Sequence, residues 1–132
     1  MSKIMEKVSK ILFSVIIFSI MSFYVNSDSG CKILHSGTFK YANTVPEIKV
    51  VIKGNKHTEY YENGKYFIKS TLNWTNECEY DMTMTEITIP DFPYKTGDVM
   101  NVKINKVINN EIYYTSTVQG KSWEGQLIKL KK

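Results

Sequence analysis

The chain has 132 residues, enough for one domain, and its formal net charge of +4 comes from 17 basic and 13 acidic side chains. All of the basic residues are lysines. Because bidentate recognition of phosphates and guanine edges usually relies on arginine, this composition argues against a nucleic-acid partner. The lysines are also spread among acidic residues, which is typical of a solvated surface of mixed sign.

Residues 1–27 have the parts of a secretory signal peptide. Three lysines precede an apolar run from Ile11 to Val25, and Val25-Asn26-Ser27 offers a cleavage site. The run is shorter than the roughly 20 residues that span a bilayer as a helix. We therefore expect a cleaved signal peptide (1–27) and one mature domain (28–132), with a retained membrane anchor as the alternative.

Cleavage would change both the charge and the compartment of the protein. It removes three lysines and one glutamate, which leaves 14 lysines against 12 acidic residues. Much of the basicity therefore belongs to the export signal. The expected location is the periplasm, the cell envelope or the extracellular medium. Membrane contact is expected only through the signal segment or through a lipid on the first mature cysteine. The sequence does not indicate an oligomeric state.

Two cysteines remain in the mature part, Cys31 and Cys78. An even count in an exported protein favours a disulfide, which would stabilise the fold by roughly 4 kcal/mol if it closed a loop of this length. The alternative is lipidation of Cys31, which closely follows the apolar run. The preceding Asp28-Ser29-Gly30 lacks the aliphatic residue of a lipobox. Both readings remain open from the residues alone.

Beyond Cys31 the pattern is apolar–polar alternation interrupted by turn residues, which predicts antiparallel strands. Asn63-Gly64 is the strongest turn signal. An eight-strand meander closes most simply into an up-and-down β-barrel, so the expected fold is all-β, with a two-sheet β-sandwich as the alternative. The predicted strands are Thr38–Asn43, Glu47–Lys53, His57–Glu62, Lys65–Trp74, Cys78–Ile89, Val99–Ile108, Ile112–Val118 and Ser122–Lys131.

Hairpin register predicts which side chains point inward, because directly opposed residues share a face. A three-residue link after Trp74 would place Trp74 opposite Cys78. In the C-terminal half, Met100, Val102, Ile104 and Ile108 share a face, as do Ile112, Tyr114 and Val118. Joining these two faces requires a three-residue loop or a bulge at Asn109-Asn110-Glu111. The deduced inner face is largely apolar, and its polar members are His57, Glu59, Ser70, Glu86, Lys106 and Ser116.

Glu59 is the strongest candidate among these polar residues. A buried carboxylate without a partner is costly, and Val50 and Ile68 flank Glu59 across the predicted sheet. We interpret Glu59 as a polar anchor for a ligand inside the barrel. The predicted ligand-binding residues are Glu59, His57, Ser70 and Ser116. The alternative interpretation is a core carboxylate that is bonded to a tyrosine hydroxyl or a lysine.

The sequence carries no signature of catalysis or of a metal site. His57 and Glu59 have strand spacing suitable for two metal ligands, but no cluster of cysteine and histidine supplies a third. No nucleophile elbow or phosphate-binding glycine loop occurs. We therefore predict that the protein is not an enzyme and uses neither a metal nor another cofactor.

Four short segments resemble a family of small, exported bacterial proteins with a lipocalin-like (calycin-like) β fold. They are Cys31-Lys32, Gly37-Thr38-Phe39, Thr58-Glu59 and the run from Trp74 to Tyr80. The resemblance extends from Cys31 to about Ile108. It implies one domain outside the cytoplasm and a Cys31–Cys78 disulfide, and it supplies no catalytic residue.

Two functions follow from these expectations. The first is binding of a small apolar or amphipathic ligand inside the barrel. The second is an interaction or structural role at the cell envelope, with a solidly filled core. The amount of interior space separates the two functions. The small side chains of Ser70, Ser116 and Gly125 indicate some space, whereas bulky residues such as Tyr66, Tyr80 and Trp123 indicate filling.

Overall fold

The computed structural model describes residues 30–131, so the predicted signal peptide lies outside the described residues. In this part of the chain, eight antiparallel strands form one closed barrel in which each strand pairs with the next along the sequence. The predicted all-β barrel is confirmed, and the sandwich alternative is wrong. The strands are β1 (Gly37–Tyr41), β2 (Lys49–Lys53), β3 (Lys56–Tyr61), β4 (Tyr66–Asn76), β5 (Glu79–Ile87), β6 (Val99–Ile108), β7 (Glu111–Val118) and β8 (Lys121–Lys129).

Pairing of β1 with β8 closes the barrel. Phe39 lies opposite Lys129 and Tyr41 lies opposite Leu127 in this antiparallel ladder. Closure gives every strand a hydrogen-bonded neighbour on both sides, and each strand therefore presents one face inward. In β7 the inward residues are every second one, from Ile112 to Val118, and all four are buried.

The β2–β3 and β3–β4 hairpins follow the predicted register. Val50 lies opposite Glu59 in the β2–β3 pair, and Glu59 lies opposite Ile68 in the β3–β4 pair. Tyr61 lies opposite Tyr66 across the Asn63-Gly64 turn, where both turn residues have positive φ. The sequence therefore places Glu59 on the inner face correctly.

The β4–β5 hairpin differs from the prediction at its turn. Trp74 lies opposite Tyr80 rather than Cys78, so the register is shifted by two residues. Because side chains alternate with a period of two, this shift changes partners but leaves each side chain on its predicted face. The core membership of Leu72 and Met82 is therefore unaffected.

A bulge in β5 overturns one inward prediction. Lys69 pairs with Glu86 and Ser70 pairs with Met84, so Thr85 is an extra residue in this ladder. An extra residue reverses the alternation beyond it. Glu86 therefore points outward, where its carboxylate lies 3.7 Å from the Lys69 ammonium, and the prediction that Glu86 faces inward was wrong.

A second bulge, in β6, changes which residues of the C-terminal half face inward. Asn105 is the extra residue between the ladder pairs of Ile104 and Lys106. Lys106 is consequently exposed, and Ile108 is 48% exposed, so both inward predictions were wrong. The bulge expected at residues 109–111 lies instead four residues earlier, inside the strand.

One end of the barrel is closed by a 3-10 helix, Cys31–Leu34, which precedes β1. Cys31 and Leu34 are buried and belong to the hydrophobic core. Cys31 forms a disulfide with Cys78 in the β4–β5 turn, with a Cα–Cα distance of 5.2 Å. The predicted disulfide is confirmed, and the sulfur of Cys31 is not available for a lipid.

Lys129 fixes the chain between this helix and β1. Its ammonium donates hydrogen bonds of 3.0 Å to the carbonyl oxygens of Ile33 and Ser36. A Cβ atom on Gly37, which has a φ of 130°, would lie 2.9 Å from the Lys129 side chain. Glycine at this position therefore permits the close approach of the lysine to the closed end.

The disulfide also bears on the compartment. Structural disulfides persist in oxidising environments, so this bond indicates a location outside the cytoplasm. Among residues 30–131, there is no helix with the length and hydrophobicity needed to span a membrane.

We expect the disulfide to account for a large part of the stability. It joins residues 47 positions apart, and the double variant Cys31→Ala/Cys78→Ala should lose roughly 4 kcal/mol of unfolding free energy because its unfolded chain is less constrained. Denaturant titration measures this loss. Reductant should lower the unfolding free energy of the parent to that of the double variant, and it should leave the unfolding free energy of the double variant unchanged. Equal midpoints for the parent and the variant would contradict the prediction.

Candidate functional site

The barrel contains a cavity at the end opposite the disulfide. Its volume is about 320 Å³, and its wall is formed by side chains from seven strands and from the β5–β6 loop. Six of the lining residues are aromatic and three are methionines. The aromatic residues are Tyr41, Tyr61, Phe92, Tyr94, Tyr114 and Trp123, and the methionines are Met82, Met84 and Met100.

The β5–β6 loop contributes a partial cover over this open end. Phe92 and Tyr94 pack edge to face, with ring centroids 5.7 Å apart, and both line the cavity. The loop is tied to β5 by a 2.8 Å hydrogen bond from the Gly97 N–H to the Met84 carbonyl. Asp98 accepts a 3.0 Å hydrogen bond from the Lys95 N–H and so fixes the last turn of the loop.

Glu59 lies in the wall of this cavity with only 6% of its surface exposed. The Tyr41 hydroxyl donates a hydrogen bond to Oε1 and the Tyr61 hydroxyl donates one to Oε2, each with an oxygen–oxygen distance of 2.5 Å. Hydrogen bonds from hydroxyl groups to an ionised carboxylate are typically this short. The carboxylate is therefore held in one orientation by two phenols, one on each oxygen.

The electrostatics keep these phenols protonated. Burial raises the pKa of Tyr41, and the charge of Glu59 raises it further. Burial and the same carboxylate also raise the pKa of Tyr61 and of Tyr114. Neutral phenols serve as hydrogen-bond donors, so Tyr41 and Tyr61 remain able to donate to Glu59.

Glu59 has no ion-pair partner among residues 30–131. The three ion pairs in this part of the chain lie on the outside of the barrel, at Lys32–Glu77, Lys40–Glu47 and Lys69–Glu86. The cavity wall thus combines apolar and aromatic surface with a carboxylate that is bonded to neutral donors.

His57 and Ser70 lie deeper in the barrel, towards the closed end. They face each other on β3 and β4, and both are at least 97% buried. Within the described chain, neither His57 Nδ1 nor Ser70 Oγ has a hydrogen-bond partner. Both residues face inward as predicted, but they do not line the cavity, and their role in ligand binding stays a prediction.

Ser116 lines the cavity, whereas Gly125 does not create the space that its size suggested. A Cβ atom on Gly125 would lie 2.3 Å from the Tyr114 ring, so this ring occupies the volume beside the glycine. Ser116 lies opposite Trp123 in the β7–β8 ladder, and both border the cavity. The interior space therefore depends on Ser116 and not on Gly125.

The hydrogen bonds of Glu59 match the alternative interpretation of a core carboxylate bonded to a tyrosine hydroxyl, but sequence reasoning did not identify which tyrosines would be its partners. Tyr61 is two residues after Glu59 on the same strand face, and this spacing is a readable signal. Tyr41 reaches Glu59 across β2, and no local pattern reveals that contact. Phe92 and Tyr94 lie in a loop, where strand alternation gives no prediction.

A larger hollow of about 660 Å³ lies at the rim of the same end, beside the β1–β2 loop. It is open to solvent, and Val45 in its wall is 98% exposed. The smaller cavity is the stronger candidate because it lies inside the barrel and contains a fixed polar group, as small-molecule sites do.

Comparison with known proteins gives no relative, since no family model, curated protein or solved structure matches the chain. In the described part of the chain, no three histidine, cysteine, aspartate or glutamate side chains are grouped so that they could hold a metal ion.

We expect Glu59→Leu to destabilise the fold. The substitution removes a buried carboxylate but leaves the Tyr41 and Tyr61 hydroxyls without their acceptor, at a cost of about 1–3 kcal/mol. The triple variant Glu59→Leu/Tyr41→Phe/Tyr61→Phe removes all three polar groups and should recover much of the loss. Denaturant titration of the parent and both variants measures these changes. A single variant more stable than the parent would show that the hydrogen bonds contribute little.

His57 should make stability depend on pH. Burial lowers the pKa of His57 from its ordinary value of 6.5, and the opposing influence of Glu59 is smaller. The unfolded chain therefore takes up a proton near pH 6.5 that the folded barrel does not, and stability is lost as the pH falls below this value.

Unfolding free energies measured between pH 7.5 and 5 should show this slope, and His57→Gln should flatten it. His35→Gln is the control, because it removes a histidine outside the barrel that stacks on Trp74 and leaves His57 in place. A slope that persists in His57→Gln would assign the pH dependence to other groups.

Proposed function

We propose that the protein is an exported, non-enzymatic binding protein that holds a small apolar or amphipathic molecule in the open end of its barrel. The observation that carries this proposal is the mostly apolar cavity inside the barrel, with one oriented carboxylate in its wall. Ligand sites typically combine apolar walls with a few fixed polar groups, and their volumes begin at roughly 300 Å³.

The distribution of side chains in the barrel supports a ligand rather than a solid core. The closed half is filled by Leu34, Phe39 and Ile52, each at most 2% exposed. The open half retains the cavity beneath Phe92 and Tyr94. Stability alone does not explain a carboxylate in this wall, because apolar residues of similar volume would avoid its desolvation cost.

Export is part of the same proposal. The disulfide is the structural observation that supports it, and the signal-like residues 1–27 agree with it. The resemblance to exported lipocalin-like proteins, which implies a domain outside the cytoplasm, supports the same location. No nucleic-acid partner is part of the proposal.

The alternative function is an interaction module at the cell envelope. Exposed apolar side chains favour it, since Val45, Val99 and Ile108 are each about half exposed or more. This function predicts a barrel that takes up no small molecule and a surface that binds another protein. The two functions therefore differ in whether the cavity can be occupied.

A neutral fluorescent probe tests the proposal. N-phenyl-1-naphthylamine should bind the parent protein saturably, with increased fluorescence, because the cavity offers it aromatic and methionine surface. Ser116→Leu should abolish this binding, since Ser116 lines the cavity and leucine would fill part of it. Fluorescence titration measures both results.

The matched control is Thr117→Leu. Thr117 neighbours Ser116 on β7, but its side chain faces outward, where its hydroxyl contacts Ser122. This variant should bind the probe as the parent does. Absence of saturable binding to the parent, or equal loss in both variants, would contradict a ligand in the cavity and favour the interaction module.

A further inference from the structure

The charge of the cavity wall restricts the headgroup of its ligand. Among the described residues that line the cavity, Glu59 is the one ionisable group that is negatively charged, and no lysine or histidine accompanies it. Each of its oxygens accepts one phenolic hydrogen bond. A carboxylate has about four acceptor positions, so it retains capacity for a further donor or a cation.

The aromatic rings point to the same headgroup. Six aromatic residues line the cavity, and the faces of such rings attract cations within about 6 Å. Lysine ammonium groups already lie over aromatic rings outside the cavity, for example Lys106 at 4.6 Å from the Tyr113 ring centre. In the described part of the chain, no such pair involves a ring of the cavity wall.

An anionic headgroup would meet the opposite situation. A fatty-acid carboxylate placed in the cavity would lie close to the carboxylate of Glu59, and like charges at short range repel. Backbone N–H groups of the strands are engaged in the ladders that close the barrel. A neutral headgroup avoids the repulsion but leaves the charge of Glu59 without a counter-ion.

We propose that the ligand is an amphipathic organic cation, an amine or quaternary ammonium compound whose positive group lies beside Glu59. This inference rests on the proposed function and names its ligand class. The apolar part extends towards the open end, past Met84 and Met100, and contacts Phe92 and Tyr94 of the loop. Glu59 then gains the counter-ion that no described residue of the protein provides.

Isothermal titration calorimetry with three ligands of equal chain length tests this inference. The probes are octyltrimethylammonium, octanol and octanoate, each used below its micelle concentration. The cation should bind the parent at least about tenfold more tightly than octanol, and octanoate should bind most weakly. Ser116→Leu should weaken all three, which shows that they enter the cavity.

Two isosteric variants assign the preference to one carboxylate. Glu59→Gln should reduce the affinity for the cation to that for octanol. Glu86→Gln makes the same change of charge on the outer face and should leave the preference intact. Circular dichroism checks that each variant is folded. If Glu59→Gln does not fold, Glu59→Asp retains the charge and should retain the order of the three headgroups.

The outcomes separate this inference from the function on which it rests. Octanol or octanoate binding as tightly as the cation would overturn the cationic ligand and leave a binding protein for apolar molecules. An equal loss of cation affinity in Glu86→Gln would show binding to the surface charge and overturn it as well. If none of the three ligands binds, both the inference and the proposed function are wrong.

Discussion

Closure of the sheet between β1 and β8 is the constraint on which the rest of the molecule depends. Once the sheet is closed, every strand has an inner face, and each second residue must fit a shared interior. Closure also brings Tyr41 on the first strand within hydrogen-bond distance of Glu59 on the third. The candidate site is therefore a consequence of the barrel, and no single hairpin contains it.

The fold was largely predictable because alternation and turn chemistry agree over most strands. The β2–β3 and β3–β4 registers follow from Gly54-Asn55 and Asn63-Gly64, and they place Glu59 inside without further information. The two bulges were not predictable. Thr85 and Asn105 are polar residues in strands that already alternate, so a local sequence pattern does not show that either one is extra. The bulges made the inward predictions wrong for residues beyond them, namely Glu86, Lys106 and Ile108.

The candidate site was predictable only in part, for a related reason. Hairpin register shows that Glu59 faces inward, but it does not show which side chains form hydrogen bonds with it, because one of these comes from a strand that does not pair with β3. Tyr41 is separated from Glu59 by a whole strand, and Phe92 and Tyr94 come from a loop that has no repeating pattern. The volume of the interior was equally hidden. Gly125 suggested space, yet the Tyr114 ring fills the volume beside it. The cavity is lined instead by the small side chain of Ser116.

The two ends of the barrel are built differently. At the closed end, the disulfide, the 3-10 helix Cys31–Leu34 and the Lys129 hydrogen bonds hold the strands together independently of the cavity. This arrangement allows the open end to keep a carboxylate and a void, both of which cost stability. The two phenols donate a hydrogen bond to each oxygen of the buried Glu59 carboxylate without neutralising its charge. A lysine in their place would cancel the charge. A carboxylate held by two neutral donors is fixed in orientation without an ion-pair partner.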